Sequence, residues 1–262
     1  MTRINRVRAI NGWQWVRRSI EMFARSPLTW IVLNLALLLI GSALALAPVI
    51  GPLLFALFTP VFAGGLMLGC RDVEAGARLQ PAHLFAGFQR NAAALVSIGG
   101  VYVVGQIAIM GLLTNIGGAE LQAFVASAIG DRPAAPSPPV IGDRVVAAIL
   151  VAGALFVPLA MAVWFAPVVA VLDGQRASAA IKLSLEGCLR NLGAMLVYAL
   201  AMGALLLGLL FAVRTVLAFL PRSLGFLREP AALVVTTFWV SLTLISAYVG
   251  YRDIFTSEIA AA

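Results

Sequence analysis

Six stretches of this 262-residue chain, 28–47, 53–70, 92–113, 145–172, 192–213 and 231–251, are apolar and contain no Asp, Glu, Lys, Arg or His. A hydrocarbon core about 30 Å thick takes about 20 such residues per helix. Backbone polar groups at that depth must be satisfied within the protein, which leaves helices or closed barrels. Runs of this length predict helices, so the chain reads as an all-α polytopic membrane protein with six transmembrane helices. Composition agrees: 62% of residues are hydrophobic and only 11% charged, where a soluble domain carries about 25% charge. So few polar side chains cannot cover a globule, and the apolar excess must face lipid.

Ahead of the first, third and fifth runs stands a short amphipathic stretch that ends in a basic residue. Two copies are close, Ser19-Ile20-Glu21-Met22-Phe23-Ala24-Arg25-Ser26 and Ser184-Leu185-Glu186-Gly187-Cys188-Leu189-Arg190-Asn191. A weaker one is Leu84-Phe85-Ala86-Gly87-Phe88-Gln89-Arg90-Asn91. In the first, helical spacing puts Trp13, Val16, Ile20, Phe23 and Ala24 on one face, and Gln14, Arg17, Arg18, Glu21 and Arg25 on the other. Glu21 and Arg25 can pair at i,i+4. In the last, Ala177, Ile181, Leu185, Cys188 and Leu189 oppose Arg176, Lys182, Glu186 and Arg190. This spacing predicts three interfacial helices with apolar faces in the headgroup zone. The chain then divides into three units of interfacial helix, span and span: 13–72, 81–173 and 175–253, in a single membrane domain. The unit ends echo one another in Cys70-Arg71-Asp72 and Tyr251-Arg252-Asp253, with Asp173 at the matching place.

The connections differ in length. Pro48 and Pro52 bound a tight helical hairpin. Pro60, Pro158 and Pro167 predict bends within the second and fourth spans. The longest connection, 114–144, contains a short helix at 119–129 and then a Pro-rich, extended stretch at 132–139. The first run is longer than the h-region of a signal peptide and begins late, so it reads as a retained span.

Basic residues orient such a chain. With both termini inside, Arg132, Arg144, Arg214, Arg222 and Arg228 fall in outer connections, and the other 13 of the 18 Lys and Arg fall inside. This asymmetry predicts cytoplasmic N- and C-termini in a bacterial inner membrane. It also accounts for the net charge of +7 without a nucleic-acid partner.

The chemistry such a chain could carry is limited. No ionisable residue lies within a span, and these usually mark coupled transport. Asn34 and Gln106 are the primary amides inside spans and the two candidates for intramembrane polar contacts. The two cysteines, Cys70 and Cys188, have no His or acidic companions and read as buried filler. Small-residue spacings, Gly65-x-x-x-Gly69, Ala199-x-x-x-Gly203 and Ala204-x-x-x-Gly208, read as intramolecular helix packing. Asp72 and Glu74 read as a solvated acidic pair, and His83 as an interfacial polar residue. No phosphate-binding loop, metal-binding His pair or nucleophile elbow occurs, so no catalytic, cofactor or metal residue is assigned and no enzyme activity is expected. Arg17, Arg18, Arg25, Arg90, Arg176, Lys182 and Arg190 are the candidate contacts to anionic lipid headgroups.

The repeated unit and the stretch Trp164-Phe165-Ala166-Pro167…Asp173…Ala179-Ala180-Ile181-Lys182-Leu183-Ser184…Arg190-Asn191 resemble a group of uncharacterised multi-pass inner-membrane proteins of proteobacteria. Related domains look like the membrane portion fused to some glycerophosphodiester phosphodiesterases. The resemblance implies architecture and location; the acidic metal cluster of those enzymes is missing here. Two functions fit: a non-catalytic scaffold, envelope or lipid-interacting factor, and a carrier or channel subunit for a small or amphiphilic solute. The carrier would need a polar cleft joining Asn34, Gln106 and the Ser/Thr-rich sixth span.

Overall fold

The structure is a computed structural model that describes residues 3–129, 142–219 and 228–256. It runs β1 (Arg3–Ile4), α1 (Asn11–Arg25), α2 (Pro27–Ala45), α3 (Ile50–Glu74), α4 (His83–Gln89), α5 (Ala92–Ile129), α6 (Asp143–Trp164), α7 (Ala166–Leu172), α8 (Ala177–Arg190), α9 (Leu192–Phe219), α10 (Arg228–Ile254) and β2 (Phe255–Thr256). Among the described residues six helical segments are long and apolar enough to cross a membrane: α2, α3, most of α5, α6 with α7, α9, and most of α10. The Pro-rich stretch expected at 132–139 lies outside the described residues.

The spans are not equivalent. The second and sixth spans and the α7 end of the fourth lie inward: α3, α7 and α10 pack against one another, and Val61, Leu66, Phe165, Val168, Leu242 and Ile245 in this group are almost wholly buried, while α6 stays outside. The first spans, α2, α5 and α9, lie outside and expose residues such as Leu39, Val104 and Leu200. Lipid tails are as apolar as a leucine, so helices associate there by close packing and hydrogen bonding. Glycines allow the approach. A Cβ on Gly87 of α4 would fall 2.0 Å from the Val61 carbonyl oxygen of α3, and one on Gly65 of α3 would fall 2.3 Å from that of His83. Gly65 and Gly69 thus serve intramolecular packing as expected. Gly203 and Gly208 do not: a Cβ on either would meet nothing within 4 Å.

The short helices sit on the bundle in one manner, α4 on α3, α8 on α6 and α7, and α1 on α9 and α10. The stripes they bury against the bundle are not the apolar faces read from the sequence. On α1 the buried residues are Gly12, Trp15, Val16, Ser19 and Met22, while Trp13 and Ile20 are 52% and 39% exposed. The packed face is rotated about a quarter-turn from the expected apolar one. On α4, Leu84 and Gly87 turn inward and Phe85 and Phe88 outward; on α8, Ala180, Ser184, Gly187 and Cys188 turn inward and Leu189 outward. Each buried stripe carries small residues that permit backbones to approach, Gly12 and Ser19 on α1, Gly87 on α4, Ala180 and Gly187 on α8, with Trp15, Met22 and Leu84 packed beside them.

Each short helix passes into the next span through a sharp break. The residues at the break are Ser26 (φ −150°, ψ 55°), Arg90 with Asn91, and Asn191 (φ −124°, ψ 30°). Asn91 has φ +54°, a region that Asn tolerates better than most residues. Its amide donates to the Ala170 and Gln175 carbonyls at 2.9 and 2.8 Å, fixing the start of α5 to α7. Asn191 donates to the Asn5 and Gly187 carbonyls at 3.0 and 2.9 Å and accepts from Val7 N–H at 2.8 Å.

Sequence reasoning missed one feature: β1 pairs antiparallel with β2, Arg3 opposite Thr256 and Ile4 opposite Phe255. Two-residue strands carry no readable alternation. Their pairing places both chain ends on the same face, where α2, α5 and α9 begin.

The fourth span is interrupted at Phe165 (φ −98°, ψ −9°), with Pro167 at the start of α7. This matches the expected bend. The helix 119–129 is also present, separated from the rest of α5 by Gly118 at φ 53° and ψ −144°. Pro60 lies inside α3 without ending it.

Candidate headgroup site at the basic face

The face where α2, α5 and α9 begin gathers the basic residues. All seven candidates, Arg17, Arg18, Arg25, Arg90, Arg176, Lys182 and Arg190, are exposed. Three are engaged. Arg17 pairs with Glu21 at 3.0 Å, Arg18 with Asp253 at 3.0 Å, and Arg190 with Glu186 at 2.5 Å. The expected Glu21–Arg25 pair is therefore replaced, because Glu21 reaches back one turn to Arg17. Arg25, Arg90, Arg176 and Lys182 form no ion pair among the described residues. Arg25 ends α1 and Arg90 follows α4, next to terminal carbonyls whose partial negative charge favours a cation.

Beside Arg25 a small polar cavity of about 210 Å³ opens between α1, α3 and α10. Its lining includes Arg18, Glu21, Arg25, Glu74, Arg252 and Asp253. Glu74 accepts from Arg252 and, at 2.5 Å, from the Tyr248 hydroxyl. Asp253 accepts from Arg18, from Trp15 Nε1 at 2.9 Å and from Asn11 at 3.2 Å. With Glu21 held by Arg17, Arg25 is the lining guanidinium without a carboxylate.

The acids at the span ends are structural. Asp72 accepts from Arg71 and lies 3.1 Å from His83 Nε2, joining α3 to α4. Asp173 accepts from the Tyr251 hydroxyl at 2.6 Å, joining α7 to α10. Asp72 and Glu74 are thus not a free solvated pair, and His83 is a helix-joining residue. Only the tertiary fold brings these partners together; nothing local signals them.

Asn34 and Gln106 are not brought together. Asn34 of α2 donates to the Ser241 hydroxyl of α10 at 2.8 Å, whereas Gln106 donates to the Tyr102 hydroxyl on its own helix at 2.6 Å. Most other span hydroxyls bond carbonyls of their own helix, as Ser97, Thr236, Ser241 and Thr243 do, and Tyr198 meets Ser246 across α9 and α10.

A curated protein of Burkholderia thailandensis, described as a probable inner membrane protein, is 34% identical over 257 residues, which cover 95% of this chain and 92% of that one. The likeness therefore extends over nearly the whole of both chains. This chain belongs to that inner membrane protein family. With six membrane-length helices, the family member described here is a multi-pass inner membrane protein. No family model matches the chain, and no solved structure does.

Proposed function

We propose that this inner membrane protein is a non-catalytic, lipid-interacting factor whose basic face holds anionic headgroups of the cytoplasmic leaflet. One observation carries the reading: Arg25, Arg90, Arg176 and Lys182 are exposed, lack a carboxylate partner among the described residues and stand at the end of the bundle where α2, α5 and α9 begin. Each basic residue near an anionic leaflet contributes about 1 kcal/mol of attraction. The outward Trp13, Ile20, Phe85, Phe88 and Leu189 beside them suit the interfacial role, with apolar side chains in the headgroup zone and guanidinium groups toward phosphate.

A threefold plan supports the same reading. Ser19, Leu84 and Ser184 occupy matching places in the three amphipathic stretches and are all buried, at 0%, 1% and 0% exposure, while Arg25, Arg90 and Arg190 are all exposed. The three short helices would then present basic ends around one leaflet. A carrier path receives less support, since Gln106 is committed within α5 and Asn34 faces α10.

The test compares wild type with the fourfold variant Arg25→Gln, Arg90→Gln, Arg176→Gln, Lys182→Gln after purification, when insertion is complete. Cardiolipin should raise the unfolding temperature of the wild type more than that of the variant, and salt should erase the difference. Equal stabilisation of both would return these residues to the role of orientation signals. That role itself predicts a cytoplasmic reading from a reporter fused after Gly87.

A further inference from the structure

Between α2, α3 and α10 lies a cavity of about 630 Å³ within the span region, inside the range of about 300–1,000 Å³ typical of small-molecule sites. Its walls are apolar, with Leu37, Phe55, Phe62, Leu66 and Leu244 among them. It opens laterally where Leu38, Leu233 and Thr236 are exposed. A molecule reaches it from the bilayer.

The polar content of this cavity is small and specific. Asn34 lines it and is only 9% exposed. The Asn34 amide nitrogen donates to the Trp30 carbonyl and to the Ser241 hydroxyl, both at 2.8 Å. The Ser241 hydroxyl hydrogen is itself given to the Thr237 carbonyl at 2.9 Å. Ser241 can therefore only accept from Asn34, which fixes the amide with its nitrogen toward α10. Both amide hydrogens are spent, and the Asn34 carbonyl oxygen has no hydrogen-bond donor among the described residues. Thr237, 6% exposed, lines the same cavity, and its hydroxyl also has no partner among them. Neither oxygen is sealed within the packing, since no fully enclosed side-chain oxygen or nitrogen lacks a partner among the described residues. Both are open to the cavity, where lipid tails supply no donor and an unmet acceptor is costly.

We infer that this cavity is a binding site for a single-chain amphiphile bearing a hydroxyl, drawn laterally from the bilayer, with its chain along Phe55, Phe62 and Leu66 and its O–H donated to Asn34 Oδ1. The Thr237 hydroxyl stands as a second partner for the same group. The inference does not rest on the headgroup reading, because the cavity shares no residue with the basic face.

The experiment uses the full chain in phosphatidylcholine nanodiscs and 1-hexadecanol carrying a diazirine as the photoprobe. Adducts should concentrate on the cavity walls, in peptides covering 34–45, 55–66 and 233–244, rather than on the lipid-exposed faces of α5 and α9. Unlabelled 1-hexadecanol should compete about tenfold better than hexadecyl methyl ether, the worth of one hydrogen bond of ordinary strength. The ether has a similar chain and an oxygen but no donor. Thr236→Trp, which fills the mouth, should abolish cavity labelling, and Asn34→Leu should remove the preference for alcohol over ether. Equal competition by alcohol and ether in the wild type would overturn the inference, whatever the variants do. So would adducts spread evenly over all spans. Cardiolipin response measured in parallel on Asn34→Leu should be unchanged, which separates failure here from failure of the headgroup reading.

Discussion

The Ser184 hydroxyl is inserted into the broken backbone rung between Met161 and Phe165. It donates to the Met161 carbonyl at 2.7 Å and accepts from Phe165 N–H at 2.9 Å. In an unbroken helix those two backbone groups would bond each other. Here α6 ends at Trp164, Pro167 opens α7, and a side chain from α8 takes up both orphaned groups. Interrupted helices persist in a membrane only when neighbours satisfy the freed groups in this way.

Ser184→Ala leaves the buried Phe165 N–H without its partner and the Met161 carbonyl with only the weak Cys188 S–H donor. The expected loss of stability is about 1–3 kcal/mol for each unsatisfied group. Thermal unfolding of the purified protein reads it. Ser97→Ala is the control, because that hydroxyl is exposed and only bonds the Ala93 carbonyl of its own helix; it should leave the midpoint unchanged. Equal midpoints for Ser184→Ala and wild type would mean that the rung contributes nothing.

Two glycines should respond oppositely to alanine. At Gly87 the added methyl would meet the Val61 carbonyl oxygen at 2.0 Å, so α4 must lift from α3, at a cost of about 1–3 kcal/mol as in other overpacked sites. At Gly203 on α9 nothing lies within 4 Å, and alanine should stabilise the helix by about 0.5–1 kcal/mol. Unfolding midpoints of the two variants, measured side by side, give the signs directly.

Both cysteines should resist alkylation in the folded protein. Cys188 and Cys70 are fully buried, and burial pushes the Cys188 thiol up to about 12. The reactive thiolate is then almost absent near pH 7. N-Ethylmaleimide should label neither residue in the native state and both in dodecyl sulfate. The Cys188 sulfur lies 3.6 Å from the Met161 carbonyl, in the same helix break that Ser184 closes. Ser184→Ala should therefore expose Cys188 to the reagent before Cys70.

The six spans, the bend at Phe165, the hairpin around Pro48 and the short helices ahead of α2, α5 and α9 were legible in the residues themselves. Each follows from a local cause: enough consecutive apolar side chains to cross a bilayer, a proline that removes an N–H, or a polar stretch too short to do anything but turn. The exposure of the basic candidates was legible for the same reason, since charged residues stay at the rim. What the tertiary structure alone decided is which side of each short helix meets the bundle, and which polar groups find one another. Ile20 and Trp13 marked the apolar face and stay outward, but that Gly12, Trp15 and Ser19 lie against the neighbouring helices was not legible. In a membrane hydrophobicity does not distinguish protein from lipid, so the contact is set by where small residues let helices approach and which large side chains, such as Trp15, fit between them. Arg25 looked paired and Arg18 free, but Glu21 pairs with Arg17 and Asp253, 235 residues from Arg18, takes Arg18. Asn34 and Gln106 were indistinguishable as amides in apolar runs. Only the approach of α10 gave Asn34 its Ser241 partner and left its carbonyl facing a cavity, because a hydrogen bond between distant segments is specified by where helices cross and not by either segment's own residues.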